Sequence, residues 1–66
     1  MRFKVNGEPK DLDTALTLLN LLKEMGIKPG RVAVAVNSTV IPRGKLGEKM
    51  LSDGDSVEVI EAVGGG

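Results

Sequence analysis

The sequence predicts an α+β fold in which one main helix packs across one face of a mixed sheet of four to five strands. Three observations predict it: a strand–turn–strand pattern at the start, a single stretch with helical periodicity, and further strand-like stretches after it. The chain has 66 residues, which is enough for one core and one domain. We expect a folded domain over residues 1–63 and a flexible glycine tail over residues 64–66.

The first twelve residues predict a β-hairpin. Residues 2–5 alternate polar and apolar side chains, as a half-buried strand does. Asn6-Gly7 suits a type I′ turn, whose two central residues need positive φ. Residues 8–12 can return as a second strand, and Pro9 places that strand at a sheet edge because proline has no N–H to donate.

One helix is predicted after residue 17. Thr17 is the expected N-cap, and Gly26 is placed to end the helix in the left-handed conformation. Four apolar side chains recur between them at the spacing of one helical face: Leu18, Leu21, Leu22 and Met25. We expect this face to pack on the sheet.

The second half of the chain predicts three more strands. Residues 32–36 place valines on one face and alanines on the other, and Val40-Ile41 is a short strand that Pro42 ends. Residues 43–51 fit either a helical turn or a loop. Residues 52–55 have the composition of a turn, and residues 56–63 predict the last strand.

The predicted order is strand, strand, helix, strand, short strand, strand. This is the order of the β-grasp, or ubiquitin-like, fold. Parallel pairing of the first and last strands satisfies the preference for right-handed crossovers. The last strand then lies between the first and third strands, so the tail leaves from the centre of the sheet.

The composition excludes several functions. Nine basic and nine acidic residues give zero net charge, and Phe3 is the only aromatic residue, which argues against a nucleic-acid partner. With no cysteine and no histidine, thiolate metal sites, catalytic thiols and histidine-activated serines are absent, and we expect no metal site or bound cofactor. We read no signal peptide or membrane span and expect a cytoplasmic protein that does not bind membranes.

The chain ends in Gly64-Gly65-Gly66, which has two interpretations. A glycine run can be a frayed or artificial terminus. Alternatively, Gly64 and Gly65 thread a narrow channel, because they carry no Cβ, and extend the Gly66 carboxylate about 10 Å beyond the fold at ~3.3–3.6 Å per residue. Such a carboxylate becomes reactive when adenylated. No residue pattern here could perform that step, so we expect a substrate of another enzyme, not an enzyme.

A docking face is predicted beside the tail. Val57 and Val59 are expected to point to the helix, and the opposite, open face is expected to be apolar at its centre, with charges such as Arg2 and Lys4 at its rim. The predicted docking residues are Ala33, Ala35, Glu58, Ile60 and Ala62. The alternative is that these are ordinary scattered apolar residues.

The sequence resembles the ThiS family of sulfur carriers of thiamin thiazole biosynthesis over nearly its whole length. The matching features are Asn6-Gly7, Thr17-Leu18 with Leu21-Leu22, Val34-Ala35-Val36-Asn37, Val40-Ile41-Pro42-Arg43, Asp53-Gly54-Asp55 before Val57-Glu58-Val59, and the end Ala62-Val63-Gly64-Gly65-Gly66.

This resemblance implies a chemistry and a set of partners. An adenylating enzyme related to ubiquitin-activating enzymes would consume ATP to activate Gly66, a persulfide-bearing sulfurtransferase would supply sulfur, and thiazole synthase would accept it from the thiocarboxylate. The free carrier is expected to be a monomer. Three alternatives remain: a small subunit of molybdopterin synthase, a ubiquitin-like modifier of lysines, and an interaction module with an inert tail.

Overall fold

The computed structural model describes residues 1–61, in which a five-stranded mixed sheet is covered on one face by a single α-helix. The sheet order is β2-β1-β5-β3-β4, as the β-grasp prediction requires, and β5 runs parallel to β1. The elements are β1 (Arg2–Val5), β2 (Glu8–Asp11), α1 (Leu18–Glu24), β3 (Val32–Val36), β4 (Thr39–Ile41) and β5 (Ser56–Glu61), with 3₁₀ turns at Pro29–Arg31 and Arg43–Lys45.

The N-terminal hairpin forms as predicted. Asn6 and Gly7 have φ values of 50° and 82°, which the type I′ turn needs. β2 is an edge strand and is exposed along its whole length. It ends at Asp11, one residue earlier than predicted, although the Leu12 N–H still donates to the Met1 carbonyl at 2.9 Å.

Both predicted ends of the helix are confirmed, but one of its packing residues is not. The Thr17 hydroxyl accepts a hydrogen bond from the Asn20 N–H at 3.1 Å, and Gly26 has a φ of 73°. Leu18, Leu21 and Leu22 are buried, whereas Met25 remains 37% exposed. The prediction that Met25 packs on the sheet was wrong, because α1 ends at Glu24 and the chain turns away at Gly26.

The core lies between α1 and the sheet, and residues 43–51 complete it. After the 3₁₀ turn at Arg43–Lys45, Leu46 and Leu51 are both buried in the core. Their backbones bond to the segment that enters the helix: Leu19 N–H donates to the Leu46 carbonyl at 3.0 Å, and Leu51 N–H donates to the Leu16 carbonyl at 2.8 Å. This segment therefore closes the end of the core that the sheet and the helix leave open.

The turn before β5 is built around one buried carboxylate. Asp55 Oδ2 accepts from the Ser52 N–H at 2.8 Å, and Oδ1 accepts from Asn37 Nδ2 at 3.0 Å. Asn37 Oδ1 in turn accepts from the Ser56 N–H at 3.0 Å. Asp55 thus ties the turn to the β3–β4 hairpin, while Asp53 accepts from the Arg2 N–H at 2.7 Å. Asp53 and Asp55 therefore each accept a hydrogen bond from a backbone N–H group.

Candidate functional site

The strand that leads to the tail is held at the centre of the sheet. β5 pairs with β1 on one side, with Val5 opposite Val57, and with β3 on the other, with Val32 opposite Glu61. Glu61 is the last described residue. The predicted end of β5 at Val63, Ala62 of the docking face, and Gly64, Gly65 and Gly66 of the tail lie outside the described residues. The domain boundary at residue 63 therefore remains a prediction.

Asn6 extends the pairing of β5 towards the tail. β1 turns away at the hairpin after Val5, which would leave the Val59 N–H without a partner on that side. The Asn6 side chain replaces the missing strand, because its Oδ1 accepts from the Val59 N–H at 2.8 Å. Its own N–H donates to the Val57 carbonyl at 2.8 Å. Sequence analysis identified Asn6 only as a turn residue, since no local pattern shows that its amide faces another strand.

The open face of the sheet, opposite α1, carries the described members of the predicted docking set. Ala33 lies opposite Ile60 and Ala35 lies opposite Glu58 in the β3–β5 pairing, so the four side chains share one face. Ile60 is 61% exposed, whereas Val57 faces the core and is fully buried. The geometry places these residues together, and their docking role remains a prediction.

Val40 also belongs to this face, which sequence analysis missed. It lies opposite Ala35 in the β3–β4 pairing and is 69% exposed. We call Ala33, Ala35, Val40 and Ile60 the apolar patch. A three-residue strand gives no register of its own, so the position of Val40 became clear only from its pairing with β3.

The charged residues predicted beside the apolar centre lie on one side of it. The apolar patch occupies the β5–β3–β4 half and reaches the edge strand β4. Arg2 and Lys4 are exposed on β1 in the other half, and Glu58 lies on β5 between the two halves. A partner covering this face would therefore meet apolar groups on one side and, on the other, Lys4 and the ion pair of Arg2 with Asp11, whose Nε–Oδ2 distance is 3.7 Å.

Within residues 1–61, no three His, Cys, Asp or Glu side chains are grouped so that they could hold a metal ion. α1 has seven residues, and no helix in the described part of the chain is long and apolar enough to span a bilayer.

The sheet order, the single helix across one face and the central last strand define a ubiquitin-like β-grasp protein. Residues 3–66 match the model of the ThiS family, and the chain belongs to that family.

Three similar proteins illustrate the match. The chain is 39% identical to the sulfur carrier protein ThiS of Thermus thermophilus over 62 residues, which cover 94% of this chain and 95% of that protein. A crystal structure of the thiamine biosynthesis protein ThiS from Geobacter metallireducens superposes with a TM-score of 0.86 at 32% identity and covers both chains fully. A thiazole synthase of Magnetococcus marinus is 39% identical over 66 residues, but this chain spans only 20% of its length.

Proposed function

We propose that this chain is a sulfur carrier of thiamin biosynthesis. Partner enzymes convert its Gly66 carboxylate to a thiocarboxylate. The observation that carries the proposal is that the family match extends through residue 66 and so includes the three glycines. The fold supports it, because the strand leading to those glycines is the central strand of the sheet. A rigid base followed by residues without Cβ suits delivery of a chain end into another protein's active site.

The proposed chemistry needs three steps, all at the carboxyl group. A carboxylate oxygen attacks the α-phosphorus of ATP, pyrophosphate leaves, and an acyl-adenylate forms on an adenylating enzyme related to ubiquitin-activating enzymes. The terminal sulfur of a sulfurtransferase persulfide then attacks the acyl carbon, and AMP leaves. A thiol reduces the resulting acyl disulfide, which releases the thiocarboxylate and leaves a new disulfide. This chain contributes the carboxyl group and its presentation, and the enzymes contribute the catalytic groups.

Thiazole synthase is the proposed sulfur acceptor. Two proteins named thiazole synthase, from Magnetococcus marinus and Paramagnetospirillum magneticum, each align with the whole of this chain over a fifth of their own length. Linking two interacting modules in one polypeptide turns their encounter into an intramolecular event. A region similar to this chain within proteins of that name supports the same acceptor for this chain.

Intact-protein mass spectrometry tests the proposal directly. We expect incubation with the adenylating enzyme of the same genome, ATP, a sulfurtransferase and a thiol to replace one oxygen of the chain by sulfur. A copy lacking Gly66 is the matched control and should not change in mass. If the full chain also stays unmodified with an active enzyme, the carrier proposal fails.

The identity of the sulfur acceptor is tested in a separate experiment that starts from the purified thiocarboxylate form of the chain. Consumption of the thiocarboxylate by thiazole synthase supports the thiamin pathway. Consumption only by the large subunit of molybdopterin synthase would assign the carrier to that pathway, and attachment to lysines in a lysate would make the chain a modifier.

The open face is the proposed docking surface for the adenylating enzyme, and Ile60 is its most testable residue. Ile60→Asp places a charge in the apolar patch and should raise the Kd for the enzyme about tenfold or more, as loss of an apolar anchor does. Stability should change little because the side chain is 61% exposed. Titration by calorimetry measures the Kd, and circular dichroism checks the fold.

Met50→Asp is the control for this prediction. Met50 is also a large exposed apolar residue, at 47%, but it pairs with Thr17 at the start of α1, away from the open face. If both variants bind as tightly as the unchanged protein, the open face is not the docking surface.

A further inference from the structure

A cavity of about 440 Å³ lies beside the base of the tail. It is lined by Gly26, Ile27, Lys28, Arg31, Val32 and Glu61. Val32 and Glu61 are paired residues of β3 and β5, so one wall of the cavity is the strand pair from which the tail departs. We call this the tail-base cavity.

Two cations, Lys28 and Arg31, are held on a rigid part of its wall. The 3₁₀ turn at Pro29–Arg31 fixes this segment, with the Arg31 N–H donating to the Lys28 carbonyl at 3.1 Å. The Ile27 N–H anchors the preceding residue to the end of α1 by donating to the Leu22 carbonyl at 2.9 Å. These hydrogen bonds place the backbones of both cations at the cavity wall.

The charges of the tail-base cavity are not balanced. Lys28 and Arg31 are exposed and face only one carboxylate of the lining, that of Glu61. The described ion pairs lie within residues 1–11 and between Lys45 and Glu48, so neither cation is paired with a carboxylate of residues 1–61. A partner carboxylate placed here would gain two opposite charges and meet one like charge.

The position of the cavity indicates which anionic group could reach it: the adenylate at Gly66 or a carboxylate on the surface of the partner protein. Gly66 lies five residues beyond Glu61, and at ~3.3–3.6 Å per residue an extended tail spans about 17 Å. The phosphates of an adenylate at Gly66 would then be too far away to contact Lys28 or Arg31. The protein surface that surrounds the first residues of the tail, however, must come against the cavity.

We propose that Lys28 and Arg31 bind an acidic surface at the mouth of the channel through which the adenylating enzyme receives the tail. This rests on the proposed function and adds a second contact area, separate from the open face. Its physical effect is to steer the tail towards the channel and to fix its direction, since complementary charges at the edge of an interface act mainly on association.

Charge reversal with a matched control tests this inference. The assay is ATP-dependent pyrophosphate release by the adenylating enzyme at low salt. We expect the double variant Lys28→Glu/Arg31→Glu to raise the KM for the carrier at least about fivefold and to leave kcat unchanged. Added salt should shrink the difference, because it screens exposed charges. Lys23→Glu/Lys49→Glu makes the same change in net charge at exposed positions outside the cavity lining and should change KM less than twofold.

Each outcome bears on the inference. If the reversed and control variants show the same KM and the same salt dependence, the inference is overturned while the proposed function stands. If the unchanged carrier is not adenylated at all, the proposed function and the inference fail together. Should circular dichroism show that Lys28→Glu/Arg31→Glu is unfolded, the neutral variant Lys28→Gln/Arg31→Gln replaces it, with an expected rise in KM of about threefold.

Discussion

Replacing Gly65 with alanine is expected to lower kcat/KM for adenylation of the carrier about a hundredfold. The proposed channel admits a chain without Cβ atoms, and one methyl group there would displace the Gly66 carboxylate by about 1 Å or stop the tail short, which is enough to cost about 10²-fold in rate. Pyrophosphate release at several carrier concentrations measures this value. Both kcat and KM should change, because the added methyl group hinders threading and also misplaces the reacting oxygen.

Gly44→Ala is the control for the tail substitution. A Cβ added at Gly44 meets no atom within 4 Å, and this glycine does not need positive φ. The control should therefore keep both the rate and the stability of the unchanged carrier. If Gly65→Ala were adenylated as fast as Gly44→Ala, the tail would not pass through a narrow channel, and the functional interpretation of Gly64 and Gly65 would be wrong.

The elements that sequence analysis predicted correctly are those that repeat a local pattern. The alternation in residues 2–5 and 32–36 and the leucine spacing after Thr17 each reflect the burial of one face, so the strands, the helix and their order followed. The Asn6-Gly7 turn followed from its need for positive φ. The exposed positions on β3 and β5 followed from the same alternation.

The features that could not be predicted depend on contacts between distant residues. Residues 43–51 remained ambiguous because Leu46 and Leu51 become buried through backbone bonds to Leu19 and Leu16, which no local spacing reveals. The place of Val40 beside Ala35 needed the register of β4. Met25 had the right spacing to be buried, but the helix ended before the pattern did.

Asp55→Ala is expected to lower the free energy of unfolding by about 2–3 kcal/mol. The carboxylate is only 9% exposed and accepts hydrogen bonds from the Ser52 N–H and from Asn37 Nδ2. Its removal leaves both donors without that acceptor, and each hydrogen bond to a charged group contributes about 1.5–3 kcal/mol net. The expected loss is close to that of one such bond, because Ser52 is exposed and its N–H can bind water instead. Since a core of this size rarely supplies more than about 3–5 kcal/mol, much of the variant should be unfolded at 37 °C.

Urea denaturation followed by far-UV circular dichroism measures this loss, since the chain has no Trp or Tyr to report by fluorescence. Asp53→Ala is the matched control. Asp53 also accepts one backbone hydrogen bond, from the Arg2 N–H, but that bond is exposed, so water can replace the carboxylate and the loss should stay below about 1 kcal/mol. Equal losses in the two variants would show that the burial of Asp55 does not matter.

The parallel neighbours β1 and β5 determine how the carrier responds to tension. An enzyme that pulls on the chain beyond Glu61 loads β5 along its own axis, between two strands. The Lys4 N–H donates to the Asp55 carbonyl, just before β5, at 2.9 Å, and the Asn6 N–H donates to the Val57 carbonyl at 2.8 Å. With the bond from the Val59 N–H to Asn6 Oδ1, at 2.8 Å, they link the β1 hairpin to β5. A pull along β5 therefore loads these hydrogen bonds at the same time, so they must break together and not one after another. We therefore expect the sheet to stay intact when a partner enzyme pulls on the chain beyond Glu61, because β5 is held between two strands.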